Sequence, residues 1–289
     1  MMLRSPRGRV GGLEPLAAKV PEITVLFWVI KILTTGMGEA MSDFLGQQSV
    51  PLAGLIGIFG TAFAFRLQLG RREYHAPTYW FTVLMVAIFG TMVADGLKDG
   101  LGLSYAVTTP FFAIVVALVF VLWHRSEGTL DIHSITTRRR ENYYWCAVLA
   151  TFALGTAAGD LTAITLGWGF FPSAALFGAV IVVPLVGWRA VGLNPVLAFW
   201  AAYVVTRPLG ASFADAFSKP RGQTGLGLGD GTVSAVELVI FLALVAYTAI
   251  AKNDVQPPQP DPSAHDPAHH PHGHSPHLQR PLQPAPAEG

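Results

Sequence analysis

Long apolar runs alternate with short polar breaks along most of the chain. Runs of about 20 apolar residues, the length that crosses a hydrocarbon layer as a helix, fall at 22–43, 50–69, 78–97, 104–123, 143–163, 170–189, 195–216 and 231–251. The pattern predicts an all-α, polytopic integral membrane protein with eight spanning helices. Asp95, Lys98 and Asp99 interrupt the third run near its end, and Arg207-Pro208 interrupts the seventh. Proline lacks the amide donor that a helix uses, so the seventh span is expected to be discontinuous there. From Asn253 onward the apolar runs stop, and Pro, His and polar residues predict a disordered tail over 253–289. Residues 1–19 lack the apolar core and cleavage site of a signal peptide and are read as a short cytosolic lead-in.

Self-similarity organises the spans further. Trp28, Trp80, Trp145 and Trp200 stand near the start of each odd-numbered span. Ten residues beyond them are Gly38, Gly90, Gly155 and Gly210, and fifteen beyond are Asp43, Asp95, Asp160 and Asp215. A small residue always precedes the aspartate, giving W-x9-G-x3-[SAG]-D four times. The membrane domain, 20–252, thus divides into four two-helix repeats at about 20–72, 73–127, 138–190 and 191–252. Each repeat holds two spans, so all enter the membrane in the same direction, related by an axis along its normal. Pro51, Pro110 and Pro172 are expected in the first turns of second helices. Equivalent residues share a depth, which places the four aspartates in one layer about 22 Å beyond the tryptophans.

Charge sets the orientation. Lys and Arg gather before the first span and after the second, fourth, sixth and eighth, whereas only Lys98, Lys219 and Arg221 fall in the opposite loops. The positive-inside rule then makes both termini cytoplasmic. Charged residues are 13% of the chain, against about 25% in soluble domains. The single cysteine, Cys146, excludes an internal disulfide or a cysteine zinc cluster. A net charge of +1 gives no case for nucleic acid.

The candidate chemistry is acidic. Glu39 and Asp43 share a helix face at i and i+4 and repel unless a proton or cation joins them. Thr91, Thr156 and Ala211 occupy the position of Glu39 in the other repeats, and threonine hydroxyls are acceptable oxygen ligands for a hard cation. Lys31 and Arg207 are cations inside apolar spans, open either to an internal ion pair or to a coupling or gating role. Asp99, Asp230 and Glu237 lie outside the pattern and are read as ordinary interfacial residues. Small-residue stripes such as Gly36, Ala40 and Gly155, Gly159 predict close helix packing. The glycine-rich loops 100–103 and 225–231 are expected to be partly re-entrant, and neither carries a phosphate-cradle pattern. In the tail, His265, His269, His270, His272, His274 and His277 suit transition-metal binding.

The opening KVPEITVLFWVIKILTTGMGEAMSD (19–43) resembles a family of bacterial integral-membrane proteins described as uncharacterised membrane-anchored proteins, built from a repeated two-helix module. The resemblance covers about 19–252 and implies the four-repeat fold in a bacterial inner membrane, but no activity. The residues lead to a transporter or channel for a cation, a divalent transition metal above all. Glu39, Asp43, Asp95, Asp160 and Asp215 would bind the ion or exchange it for protons. The alternatives are a proton-coupled carrier of a small organic solute and a membrane scaffold or sensor that uses the tail. No cofactor is certain beyond a possible transition-metal ion; the partners are the bilayer, a cation or small solute, and possible further copies of the chain. No paired His/Cys or Ser-His arrangement in the spans supports an enzyme.

Overall fold

The computed structural model describes residues 17–257. These form nine α-helices: α1 (Val25–Gln48), α2 (Val50–Gly70), α3 (Ala76–Asp95), α4 (Tyr105–Glu127), α5 (Arg138–Asp160), α6 (Phe170–Val180), α7 (Val182–Val191), α8 (Pro195–Ser218) and α9 (Asp230–Ala251). The described residues contain no strand. α6 and α7 are one span, Phe170–Val191, interrupted at Ile181, so eight segments are long and apolar enough to cross a bilayer. The chain is a multi-pass membrane protein.

Local signals set the helix starts. The side chains of Thr24, His75, Thr137 and Asn194 accept a backbone amide from the first turns of α1, α3, α5 and α8, as capping residues do. Pro51 stands at the start of α2 and Pro172 is the third residue of α6, but Pro110 lies well inside α4. Gly128 and Gly192 end α4 and α7 in the left-handed conformation.

The four helices that carry the repeat tryptophans form a closed inner ring in which α1 packs on α3, α3 on α5, α5 on α8 and α8 on α1. The second helix of each repeat packs on the inner helix of the next: α2 on α3, α4 on α5, α6 and α7 on α8, and α9 back on α1. The apolar windows of the inner spans are 61, 61, 61 and 56% buried, against 22, 22, 17 and 28% for the outer ones. The outer helices therefore turn residues such as Phe59, Ile114, Val183 and Val239 outward, where a hydrocarbon solvent accepts them.

The repeat glycines explain the ring. A Cβ added to Gly38 would collide with Ala87, to Gly90 with Phe152, to Gly155 with Arg207 and to Gly210 with Thr35. Each partner is the residue seven beyond the tryptophan of the next inner helix, so one close contact recurs around the ring. Glycine lets backbones approach where lipid offers no hydrophobic drive for helix association.

At the tryptophan end the axis is filled by aromatic rings. Phe27, Tyr79, Trp80, Tyr144, Phe199, Trp200 and Tyr203 are buried and pack mostly edge to face or tilted. A strap formed by residues 17–24 covers this end. Val20 is fully buried, and Lys19 Nζ lies 2.7 Å from Glu141 Oε2, whose other oxygen accepts from Gln68 Nε2 at 3.0 Å. Glu22 N donates to Asp254 O at 2.8 Å, Tyr74 OH to Asp254 Oδ2 at 2.5 Å, and Gln256 Nε2 to Pro21 O at 3.0 Å. The end of the expected lead-in and the start of the expected tail thus pack against the membrane body. The remainder of both segments, including Arg4, Arg7, Arg9 and the six tail histidines, lies outside the described residues.

One expectation about a backbone break is corrected. α8 runs from Pro195 to Ser218 without interruption, with Pro208 inside it. Pro208 costs the helix a single backbone bond, at the Val204 carbonyl, and packing holds the rest of the ladder in place, with Thr35 Oγ1 donating to Thr206 O at 3.2 Å across the α1/α8 contact. The loop 225–231 folds back onto the end of α8: the amides of Leu226, Gly227, Leu228 and Gly229 donate to the carbonyls of Ala216, Lys219, Phe217 and Ser218. These are carbonyls that a helix end otherwise leaves unpaired. A Cβ on Gly225 would strike the Lys219 carbonyl.

Candidate functional site

The inner ring brings three of the four residues at the Glu39 position to one point on the axis. Arg207 Nη2 lies 2.7 Å from Glu39 Oε2 and 2.7 Å from Thr156 Oγ1, and also bonds the Thr91 hydroxyl. Its Nη1 donates to Thr35 O at 3.2 Å. The hydroxyls of Thr91 and Thr156 each stand 3.2 Å from Glu39 Oε2. All five residues are buried. Removing two charges from water is costly, and only good geometry with further hydrogen bonds recovers it. The planar guanidinium, held by partners from α1, α3 and α5, supplies that geometry.

Of the two intramembrane cations, only Arg207 makes an internal ion pair. The Lys31 ammonium lies 4.1 Å from the Phe152 ring centroid and 4.3 Å from that of Tyr203, and Nζ has no hydrogen-bond acceptor. It is 1% exposed and rests on ring faces, a cation–π arrangement.

One turn beyond Glu39, towards the aspartate end, carboxylates gather. Oxygens of Glu39, Asp43 and Asp215 lie within 4.8 Å of one another. Asp215 is 2% exposed, and its Oδ1 has no hydrogen-bond partner. Ser212 and Ser218, on the same helix, also bury unpartnered hydroxyls. Asp95 and Asp160 do not join this triad. They are the last residues of α3 and α5, each followed by a π-helical turn, Gly96–Gly100 and Leu161–Thr165, and they stay close enough for their charges to interact with Glu39 and Asp43. Such turns recur at functional sites.

Lys219 and Asp230 complete the layer, although neither belongs to the repeat pattern. Lys219 Nζ bonds Asp43, and lies 3.1 Å from Asp230 Oδ1 and 3.7 Å from Asp215 Oδ1. Gln47 Nε2 donates to Asp230 Oδ2 at 2.5 Å. Burial alone would lower the Lys219 pKa, but the Asp215 and Asp43 carboxylates outweigh it and push it up, so the ammonium stays charged. The i,i+4 spacing of Asp215 and Lys219 is a sequence signal for this contact. The ordinary interfacial reading of Asp230 gives way because α9 packs against α1 and carries its carboxylate into the layer. Six carboxylates (Glu39, Asp43, Asp95, Asp160, Asp215 and Asp230) here face Arg207 and Lys219, while Lys98, close to Asp95 and Asp160, is already paired with a seventh, Asp99, at 3.0 Å. Protons or a further cation must balance the rest, because helix C-termini add negative potential of their own.

The fold and this layer define a class: a multi-pass membrane protein with four two-helix repeats closed around a buried polar axis. The family model described as Repeat of Unknown Function (DUF347) matches residues 26–73, 78–129, 143–193 and 198–254, and the chain belongs to that family. No curated protein and no solved structure matches the chain.

Proposed function

We propose that the protein is a membrane transporter for a cation, with the carboxylate layer as its binding site. The observation that carries this reading is the convergence of Glu39, Asp43 and Asp215 within 4.8 Å, with one buried Asp215 oxygen that accepts no hydrogen bond. The excess of carboxylates over cations supports it further. The donors are carboxylates and hydroxyls without sulfur or imidazole, a set that suits hard ions. Among divalent transition metals this favours manganese. Side chains fill the axis from Arg207 to the strap, which suits a carrier that changes conformation better than an open pore. With both termini cytoplasmic in an inner membrane, as the positive-inside rule favours, the layer opens towards the outer face.

The test is Mn2+ flux into proteoliposomes loaded with a quenchable fluorophore, comparing the wild type with the Asp43→Asn/Asp215→Asn double variant. The variant should retain its fold and lose about 90% or more of the flux; equal flux would sink the proposal. The same carboxylate excess supports a second reading, a proton-coupled carrier of a small solute. Proton uptake that depends on an organic substrate and ignores Mn2+ would favour that reading.

A further inference from the structure

We infer that Lys219 is a tethered cation that occupies the mouth of the carboxylate triad and is displaced onto Asp230 when an ion binds. This inference rests on the cation-site reading above. Two of the three triad members, Asp43 and Asp215, are also the residues that face the Lys219 ammonium, one bonded and the other at 3.7 Å. An ion held by those two carboxylates cannot share them with a second positive charge at that distance without strong repulsion. The ammonium therefore occupies the place that a cation bound by those two carboxylates would need.

The surroundings provide for its displacement. The backbone is fixed: Lys219 N donates to Asp215 O at 2.9 Å, and its carbonyl accepts from Gly227 N at 2.8 Å. Only the four-carbon stem is left to move. Asp230 already lies 3.1 Å from Nζ, is steadied by Gln47, and stands outside the triad. A small swing onto Asp230 alone keeps the lysine paired while it frees Asp43 and Asp215. The arrangement also discriminates between ions. A monovalent ion offers the triad no more charge than the lysine does, whereas a divalent ion offers twice as much, so Lys219 acts as a filter for divalent ions.

The experiment measures Mn2+ binding to the purified full-length protein in nanodiscs, by the electron paramagnetic resonance signal of free Mn2+. Lys219→Gln should bind Mn2+ about tenfold or more tightly than the wild type, and K+ should compete in this variant but not in the wild type. Lys219→Arg, which keeps the charge, should show no such gain. Asp230→Asn, which removes the receiving carboxylate, should weaken binding several-fold. In the wild type, Mn2+ should speed acylation of Lys219 by acetic anhydride relative to Lys98, a readout that needs no variant to fold. A folded Lys219→Gln that binds no more tightly, or a Lys219 acylation rate indifferent to Mn2+, overturns the inference. If Asp43→Asn/Asp215→Asn abolishes binding in that case, the cation site stands and only the lysine's role falls. Absence of binding in both wild type and Lys219→Gln removes site and inference together.

Discussion

Replacing Gly90 by alanine tests the ring contact directly. The new methyl would lie 2.6 Å from Phe152 Cβ and 3.4 Å from Ala153 N, whereas carbon atoms settle at about 3.5–4 Å. Neither atom can rotate away, because one is bonded to the backbone and the other belongs to it, so α3 and α5 must part by about 1 Å. Overpacking of this kind costs about 1–3 kcal/mol. The rigidity of both atoms places this case at about 2–3 kcal/mol, and alanine's better helix propensity returns about 1 kcal/mol, leaving a net loss of about 1–2 kcal/mol. Gly54 in α2 is the internal control, since a Cβ there meets nothing within 4 Å. Gly54→Ala should gain about 0.5–1 kcal/mol from propensity alone. Unfolding of the purified protein in mixed micelles by titrated dodecyl sulfate, followed by tryptophan fluorescence, reads both. Opposite shifts are expected; a Gly90→Ala protein as stable as Gly54→Ala would refute the view that the repeat glycine sets the helix spacing.

Arg207→Met leaves the Glu39 carboxylate buried without its partner and should cost about 3–5 kcal/mol, while the double variant with Glu39→Gln recovers most of it in the same titration. Lys31→Met removes a buried amine that has no hydrogen-bond acceptor, so stability should hold or rise by about 1–3 kcal/mol; a marked loss would show that the ring faces contribute more than the burial costs. For His133, burial lowers the pKa, but hydrogen bonds to Asp131 and Glu22 outweigh it and raise it above the ordinary histidine value. The Glu22–His133 bridge therefore stabilises the strap fully below about pH 6.5, the unfolded-chain value, and this contribution fades as pH rises through the folded-state pKa. Amide exchange over residues 17–24, corrected for intrinsic rates, should speed up across that window in the wild type and not in His133→Gln.

Much of the architecture can be read from spacing because parallel repeats put equal positions at equal depth. The Trp, Gly and Asp offsets mark the aromatic end, the ring contacts and the carboxylate layer in turn. Arg207, Glu39, Thr91 and Thr156 could be nominated as charged or hydroxyl-bearing residues in apolar runs, but their convergence depends on the ring closing. The Gln47–Asp230 and Lys219–Asp43 contacts need the last repeat to meet α1, a contact between opposite ends of the sequence that no local pattern carries. Lys19 reads as solvated from its lead-in, yet its buried partner Glu141 stands 122 residues away. The break at Pro208 fails because the proline costs the helix one backbone bond, while packing against α1 and α5 holds the remaining turns. A propensity rule written for one helix cannot see that packing.

The seam between the last and first repeats is built like the others, with α9 on α1 and a backbone bond from Glu22 to Asp254. Repeat order is thus cyclic, and a chain opened between α2 and α3 and rejoined at the seam would keep every helix neighbour. Covalent linkage nevertheless allows what four separate identical subunits could not. A symmetric tetramer would place four arginines, or four glutamates, at the same point on its axis and could not neutralise them there. One chain sets a single Arg207 against a single Glu39, with two threonines at equivalent positions to complete the hydrogen bonds. Four unlike repeats in one chain free the axis from the symmetry of the ring around it.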